Sequence, residues 1–218
     1  MQLVAENLTL ERGARRIANG VSFVLESGTA LLLTGPNGSG KSTLLRALAG
    51  YLRPSEGTVK LRGESGAFEG SSESGEVAEV CHFVGHLDGI KTHLTVKENL
   101  AFWATYLAGP VDGKQTTADR VEDALEQFAL DALAEIPAGY LSAGQKRRLG
   151  LARLAVAKRP IWLLDEPTVS LDVASVKVLT DAIDAHLKAG GMAVIATHLP
   201  MELASVQSMQ LGRAQVSA

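Results

Sequence analysis

Residues Gly35-Pro36-Asn37-Gly38-Ser39-Gly40-Lys41-Ser42-Thr43 join glycines, hydroxyls and one lysine in nine positions. That mixture suits phosphate. Glycines let the chain turn so that backbone N–H groups point inward, and a helix behind them adds the positive end of its dipole. Lys41 is placed to reach the β and γ phosphates of a nucleoside triphosphate, and Ser42 to ligate Mg²⁺. A G-x-x-x-x-G-K-[ST] spacing arises by chance in a chain this long on the order of one time in a hundred. The residues therefore predict a site for ATP and Mg²⁺, against the bland alternative of a glycine-rich turn with a solvated lysine.

A second group of chemistry-bearing residues lies downstream. Asp165-Glu166 ends the apolar run Ile161-Trp162-Leu163-Leu164, where a parallel sheet presents its ligand edge. Asp165 is assigned to the metal shell and Glu166 to the attacking water, which it would orient or deprotonate. Leu141-Ser142-Ala143-Gly144-Gln145 precedes a basic and apolar helical stretch, with Ser142 as its N-cap. Thr197-His198 closes another apolar run, Met192 to Ala196.

The elements that must position these groups are short and mostly buried. Leu3 to Leu10 and Val21 to Leu25 read as strands on either side of the charged turn Glu11 to Arg16, giving an antiparallel β layer ahead of the phosphate loop. Ala30 to Leu33 forms the strand before that loop, and Gly50 ends the helix after it. Arg53 to Gly57 turns into a strand over Thr58 to Leu61, and the next strand is Val80 to Val84. The Gly-, Ser- and Glu-rich stretch Gly63 to Glu79 reads as a loop. Leu94 to Ala157 reads mainly as helix, with apolar positions such as Val121, Leu125, Phe128, Leu149 and Leu154. Strand, helix and strand then follow at Ile161–Leu164, Val173–Leu187 and Met192–Ala196. The fold expected is α/β, a core carrying the phosphate loop, an N-terminal antiparallel β layer and an inserted helical subdomain.

With 218 residues, one such domain fits and two would be cramped. Its 21 basic and 24 acidic residues leave a net charge of −3, so no nucleic-acid partner is expected from bulk charge. Cys81 is the only cysteine, which excludes an intrachain disulfide and a Cys-rich metal site. The N-terminus has no secretory pattern, and no apolar run reaches the ~18 residues of a membrane span. Membrane attachment would have to come through a partner.

In this order the motifs resemble those of ABC transporter ATP-binding subunits, from Gly35 to His198. The resemblance implies a P-loop NTPase (RecA-like) core over about 1–91 and 158–218, with a helical subdomain at about 92–157. Leu141 to Gln145 is similar to the family's signature LSGGQ, with Ala143 in the third place. Ser142 and Gly144 would then act in trans on the nucleotide of a second copy, in an ATP-dependent head-to-tail homodimer. His198 corresponds to the switch histidine and Asp172 to the aspartate of the D-loop, although Val169 and Ser170 depart from the usual Ser-Ala.

Two departures alter the chemistry. His86 stands where the family usually has a glutamine near the γ-phosphate, and it is assigned that sensing role. The aromatic residue that usually stacks on adenine is missing from Glu11-Arg12-Gly13. Arg12 could stack its guanidinium plane on the base or sit solvated at the surface.

Gly85 to Thr95, Leu141 to Arg148 and Trp162 to Pro167 narrow the resemblance to the ATPase group of cytochrome c maturation. That implies a haem-export role, or release of haem from a chaperone complex. It also implies an integral membrane permease partner and a peripheral position on the cytoplasmic face of the bacterial inner membrane. Nothing resembles a haem ligand site, so haem would not be bound directly. Another ABC permease is the alternative, with a soluble non-transport ABC ATPase behind it. Leu87 to Val96 either borders the docking groove for the membrane partner or supplies plain subdomain core.

Overall fold

The computed structural model describes residues 1–13, 15–63, 75–107, 115–199 and 201–212. They fall into two compact units. The first comprises Met1–Gly85, Pro160–Pro167 and Ile183–Ala218, and the second His86–Arg159 and Thr168–Ala182.

In the first unit, β1 (Gln2–Arg12) pairs antiparallel with β2 (Arg15–Glu26) and with β4 (Glu56–Arg62). These strands are longer than the sequence reading, since β1 runs on to Arg12 and β2 begins at Arg15. A second sheet has the order β5-β6-β7-β3-β8. Its members are β3 (Ala30–Thr34), β5 (Cys81–Val84), β6 (Ile161–Asp165), β7 (Met192–Ala196) and β8 (Val206–Gln210). All of its neighbours are parallel. The central strands β6 and β7 are buried along their whole length, as a parallel sheet covered on both faces requires.

Between the two sheets runs α1 (Lys41–Leu48), whose Leu44, Leu45 and Leu48 are inaccessible to solvent. They share one apolar cluster with Leu3, Leu8 and Leu25 of the antiparallel sheet and with Leu33, Leu163 and Val194 of the parallel sheet. Each such side chain contributes on the order of 1.5–3 kcal/mol by leaving water. The phosphate loop thus runs from a buried strand into a helix whose leucines are buried in the same cluster.

Two elements differ from the sequence reading. Gly75–Val80 is a short helix, α2, so Val80 ends a helix rather than beginning a strand. Val77 explains it: the side chain is buried in the core cluster, and the Glu and Ala beside it favour helix. The rest of the predicted 63–79 loop lies outside the described residues except Gly63. The edge strand β8 was not anticipated, because Val-Gln-Ser-Met-Gln is mostly exposed and carries no apolar run.

The second unit is built from α3 (Val96–Tyr106), α4 (Thr117–Gln127), two 3₁₀ turns (Asp131–Leu133 and Ala138–Tyr140) and α5 (Ala143–Val156). The stretch that reads mainly as helix is thus divided among three helices. Thr95, Thr116 and Ser142 each begin a helix with a capping box, satisfying two otherwise orphaned N–H groups apiece. The helix α6 (Val173–Lys188) begins in this unit and ends in the first. Among the described residues, no helix is long and apolar enough to cross a membrane.

One half-buried histidine gives the first unit a pH dependence. His186 stacks on Trp162, with ring centroids 4.0 Å apart and planes 5° from parallel, and its Nε2 lies 3.2 Å from the Met192 carbonyl. Burial holds its pKa below the ordinary 6.5. The unfolded chain therefore takes up a proton that the folded chain refuses. Stability is full above pH 6.5 and declines as the pH falls below it, until the folded-state pKa is passed. Urea midpoints taken between about pH 7.5 and 5.5 should fall with acidity in the native chain and fall less in His186→Phe.

Candidate active site

Strand register decides which groups meet. Leu33 of β3 and Asp165 of β6 both lie opposite Ala196 of β7. The three strands therefore end abreast, and the segments leaving them carry the phosphate loop, Glu166 and His198 to one sheet edge. Two cross-links hold those ends, Glu166 N–H to the Ala196 carbonyl at 2.8 Å and Thr197 N–H to the Leu33 carbonyl at 3.2 Å.

The loop needs its glycines. Gly35 has φ 134°, and a β-carbon there would lie 2.5 Å from the Leu211 carbonyl oxygen. Gly40 is left-handed at φ 102°, immediately before α1. That helix starts with no side-chain cap and no acidic residue in its first turn. Its free N–H groups and positive dipole end are therefore available to an anion. Ser39 Oγ is buried in the loop without a hydrogen-bond partner, an orphaned polar group that a phosphate oxygen would satisfy. Lys41 Nζ donates to the carbonyls of Gly35 at 2.8 Å and Pro36 at 3.2 Å, so the ammonium is held over the loop. Asn37, Gly38, Gly40, Ser42 and Thr43 line a cleft of about 940 Å³ that also takes in Arg12, Arg15, Ile17 and Glu166.

Ser42 Oγ donates to Asp165 Oδ1 at 2.9 Å, and Asp165 is 3% exposed. A hydroxyl and a buried carboxylate side by side are hard oxygen donors that suit Mg²⁺. One residue on, Glu166 Oε2 lies 2.8 Å from His198 Nδ1 and accepts a longer bond, 3.4 Å, from the His198 backbone N–H. Glu166 also has φ 46°, a left-handed conformation costing a non-glycine residue on the order of 1 kcal/mol. The Glu166–Ala196 backbone bond and the fixed strand ends sustain that strain. It turns the carboxylate toward the cleft, where it can accept a proton from water.

The remaining predicted residues belong to the second unit. Ser142 Oγ accepts from Gln145 N–H at 3.3 Å, while Gln145 Oε1 accepts from Ser142 N–H at 2.8 Å. Leu141 is buried, and Ala143 and Gly144 open α5. A β-carbon on Gly144 would lie 2.9 Å from the Ser170 carbonyl oxygen, so the turn at Ser142 packs closely on the segment leading to Asp172. Asp172 accepts from Ser175 N–H at 2.8 Å, and bonds from Ser175 hold its carboxyl below the usual pKa.

His86 is exposed at the start of this unit. Sequence reasoning missed what holds its loop. Arg147 of α5, 5% exposed, pairs with Asp88 at 2.7 Å, and a β-carbon on Gly150 would press on Asp88 at 2.7 Å. Asn99 is buried and clamps the next stretch: its Oδ1 accepts from Lys91 N–H, and its Nδ2 reaches the carbonyls of Lys91, Leu94 and Thr95. No local pattern marks these three residues, since their partners are distant in sequence or are backbone.

A family model described as ABC transporter matches residues 18–169. The cytochrome c biogenesis ATP-binding export protein CcmA of Chelativorans sp. (strain BNC1) is 45% identical over 212 residues, covering 97% of this chain and 98% of that protein. The protein of the same name from Rhodospirillum rubrum is 52% identical over 198 residues, covering 91% and 80% respectively. Among solved structures, the ATP-binding cassette MJ0796, a dimer in a post-hydrolysis state bound to ADP and Pi, superposes with a TM-score of 0.76. It is 24% identical and covers 90% of this chain and 88% of that one. The α/β fold expected from the sequence is the fold these cassettes share.

Proposed function

The chain belongs to the ABC transporter family, within the group of cytochrome c biogenesis ATP-binding export proteins, and we propose that it couples ATP hydrolysis to haem handling by a membrane partner. It is an ATPase, and the work it drives is haem export or release of haem from a chaperone complex. The observation that carries the reading is the Glu166–His198 pair at 2.8 Å on the same sheet edge as the phosphate loop.

Lys41 and the N–H groups of Gly38 to Thr43 bind the β and γ phosphates, and Ser39 Oγ gains the partner it otherwise lacks. Mg²⁺, held by Ser42 and Asp165, would neutralise phosphate charge that develops on the leaving group. Glu166 orients and deprotonates the water, and His198 holds Glu166 in its strained rotation toward it. Arg12, on the cleft wall, covers the base.

The second nucleotide contact comes from another copy. Ser142 and Gly144, at the start of α5, face the γ-phosphate of the partner in a head-to-tail dimer closed by ATP, and Asp172 fixes the adjacent segment. His86 reports the γ-phosphate to the helical subdomain, about 92–157, which passes the motion to the permease. The chain sits peripherally on the cytoplasmic face of the inner membrane through that permease, contacts no nucleic acid and does not bind haem itself.

Purification of a tagged Glu166→Gln form from native membranes in ATP should bring down one integral membrane subunit of cytochrome c maturation, with haem in the complex. Recovery of an unrelated permease would overturn the haem assignment and leave the ATPase in place.

A further inference from the structure

Resting on the nucleotide-hydrolysing reading above, we propose that Arg12, Arg15 and Ile17 form the base seat of this chain, that it accepts guanine as readily as adenine, and that GTP is therefore a substrate alongside ATP.

The hairpin between β1 and β2 has an unusual tip. Arg12 and Arg15 are direct cross-strand partners, so two cations face each other at the end of the ladder. Like charges directly opposite on a ribbon destabilise it. The neighbouring pair is complementary, with Arg16 3.6 Å from Glu11. Among the described residues, neither Arg12 nor Arg15 has an ion-pair partner. Both line the cleft that holds the phosphate loop. The repulsion at the tip is relieved by what the cleft binds, an anionic and π-faced ligand.

Ile17 fixes where that ligand lies. A β-carbon on Gly40 would be 2.9 Å from Ile17 Cγ2, so the isoleucine packs on the junction of loop and helix. Arg15 of the same strand also lines the cleft, and Arg12 lies opposite Arg15. The cleft wall therefore offers one alkyl group beside Gly40 and two guanidinium groups. A triphosphate seated on the loop sends its sugar past Ile17 and its base onto the two arginines.

The chemistry of this seat does not select adenine. Among the described residues, no aromatic side chain lines the cleft. Guanidinium planes stack on any base face, because every base has one. At the base edge arginine only donates, offering five N–H groups and no acceptor. Guanine presents O6 and N7, both acceptors, whereas adenine presents N7 beside an N6 donor. The other polar side chains leave this balance alone: Asn37 and Thr43 both donate and accept, Lys41 and Ser42 donate to the loop carbonyls and to Asp165, and Glu166 is engaged by His198. Selecting adenine over guanine would take a buried acceptor for N6, and among the described residues no lining side chain is one.

The test uses the purified full-length chain with two readouts. Calorimetric binding of ADP and GDP needs no dimer or membrane partner, and steady-state hydrolysis of ATP and GTP reports turnover. The expected result is a GDP Kd, and a GTP kcat/KM, within about threefold of the adenine values. Arg12→Ala combined with Arg15→Ala should weaken both diphosphates by about tenfold and raise KM more than it lowers kcat. The paired Arg→Lys form keeps both charges and loses the planar stack, and should weaken binding nearly as much. A preference for adenine above about tenfold, or unchanged Kd values in both double variants, overturns the base seat while leaving the ATPase standing. Failure of the native chain to bind either diphosphate overturns the nucleotide site itself.

Discussion

Glu166→Gln should lower kcat for ATP by about 10²–10⁴-fold while nucleotide binding stays close to native. The amide is isosteric and still accepts from His198, but it cannot take a proton from water. Binding is expected to survive because the loop, Lys41 and Ser42 make their contacts without Glu166. The split between kcat and KM is therefore the diagnostic quantity, read from steady-state hydrolysis together with equilibrium binding of ATP. Turnover within a few-fold of native would remove Glu166 from the role of base. A matched loss of binding and turnover would instead show that the substitution had disturbed the β6 end, where the left-handed backbone at residue 166 stores strain.

Glu166 could be placed on the sheet edge without coordinates because its neighbours in sequence are its neighbours in structure. Ile161 to Asp165 is an uninterrupted buried strand, and a carboxylate at its end must lie on the sheet edge. The phosphate loop and His198 are legible for the same reason, each following a buried strand of five residues. What brings the three together is the order β6-β7-β3, which is set by long-range pairing and is not written in any local pattern.

Where the signal is weak, the reading failed. The edge strand β8 alternates nothing and buries little, yet Leu211 just beyond it approaches Gly35 closely enough to exclude any side chain there. The helix α2 was obscured because polar sequence around Val77 hides a single buried anchor. Asp88, Arg147 and Asn99 were silent because a salt bridge across 59 residues and a side chain satisfied by backbone carbonyls leave no spacing to detect. The hairpin was underestimated in the opposite sense. Its charged residues read as a turn, but the backbone carries them as strand up to Arg12 and from Arg15, which puts Arg15 on the cleft wall as well as Arg12.

Mixing two inactive variants should restore about a quarter of native ATP turnover if the catalytic site is shared between two copies. Lys41→Ala removes the ammonium that holds the phosphates, and Ser142→Arg places a bulky charge on the cap that would face the other copy's nucleotide. Each homodimer then has two defective sites. Random association makes about half of the dimers mixed, and one of the two sites in each mixed dimer joins an intact phosphate loop to an intact Ser142. Its other site carries both defects. The control pairs Lys41→Ala with Glu166→Gln. Both residues lie in the first unit, on the same sheet edge, so every mixed dimer retains a defect at each site and activity should stay at the parental level. Ser142 tests the idea sharply because its hydroxyl already has a complete structural role as the cap of α5. A purely structural Ser142 would leave its own chain defective in any company, and the first mixture would stay as inactive as the control even when tagged chains prove that mixed dimers form. Recovery in the first mixture alone requires that the Ser142 of one copy complete the site built on Lys41 of the other.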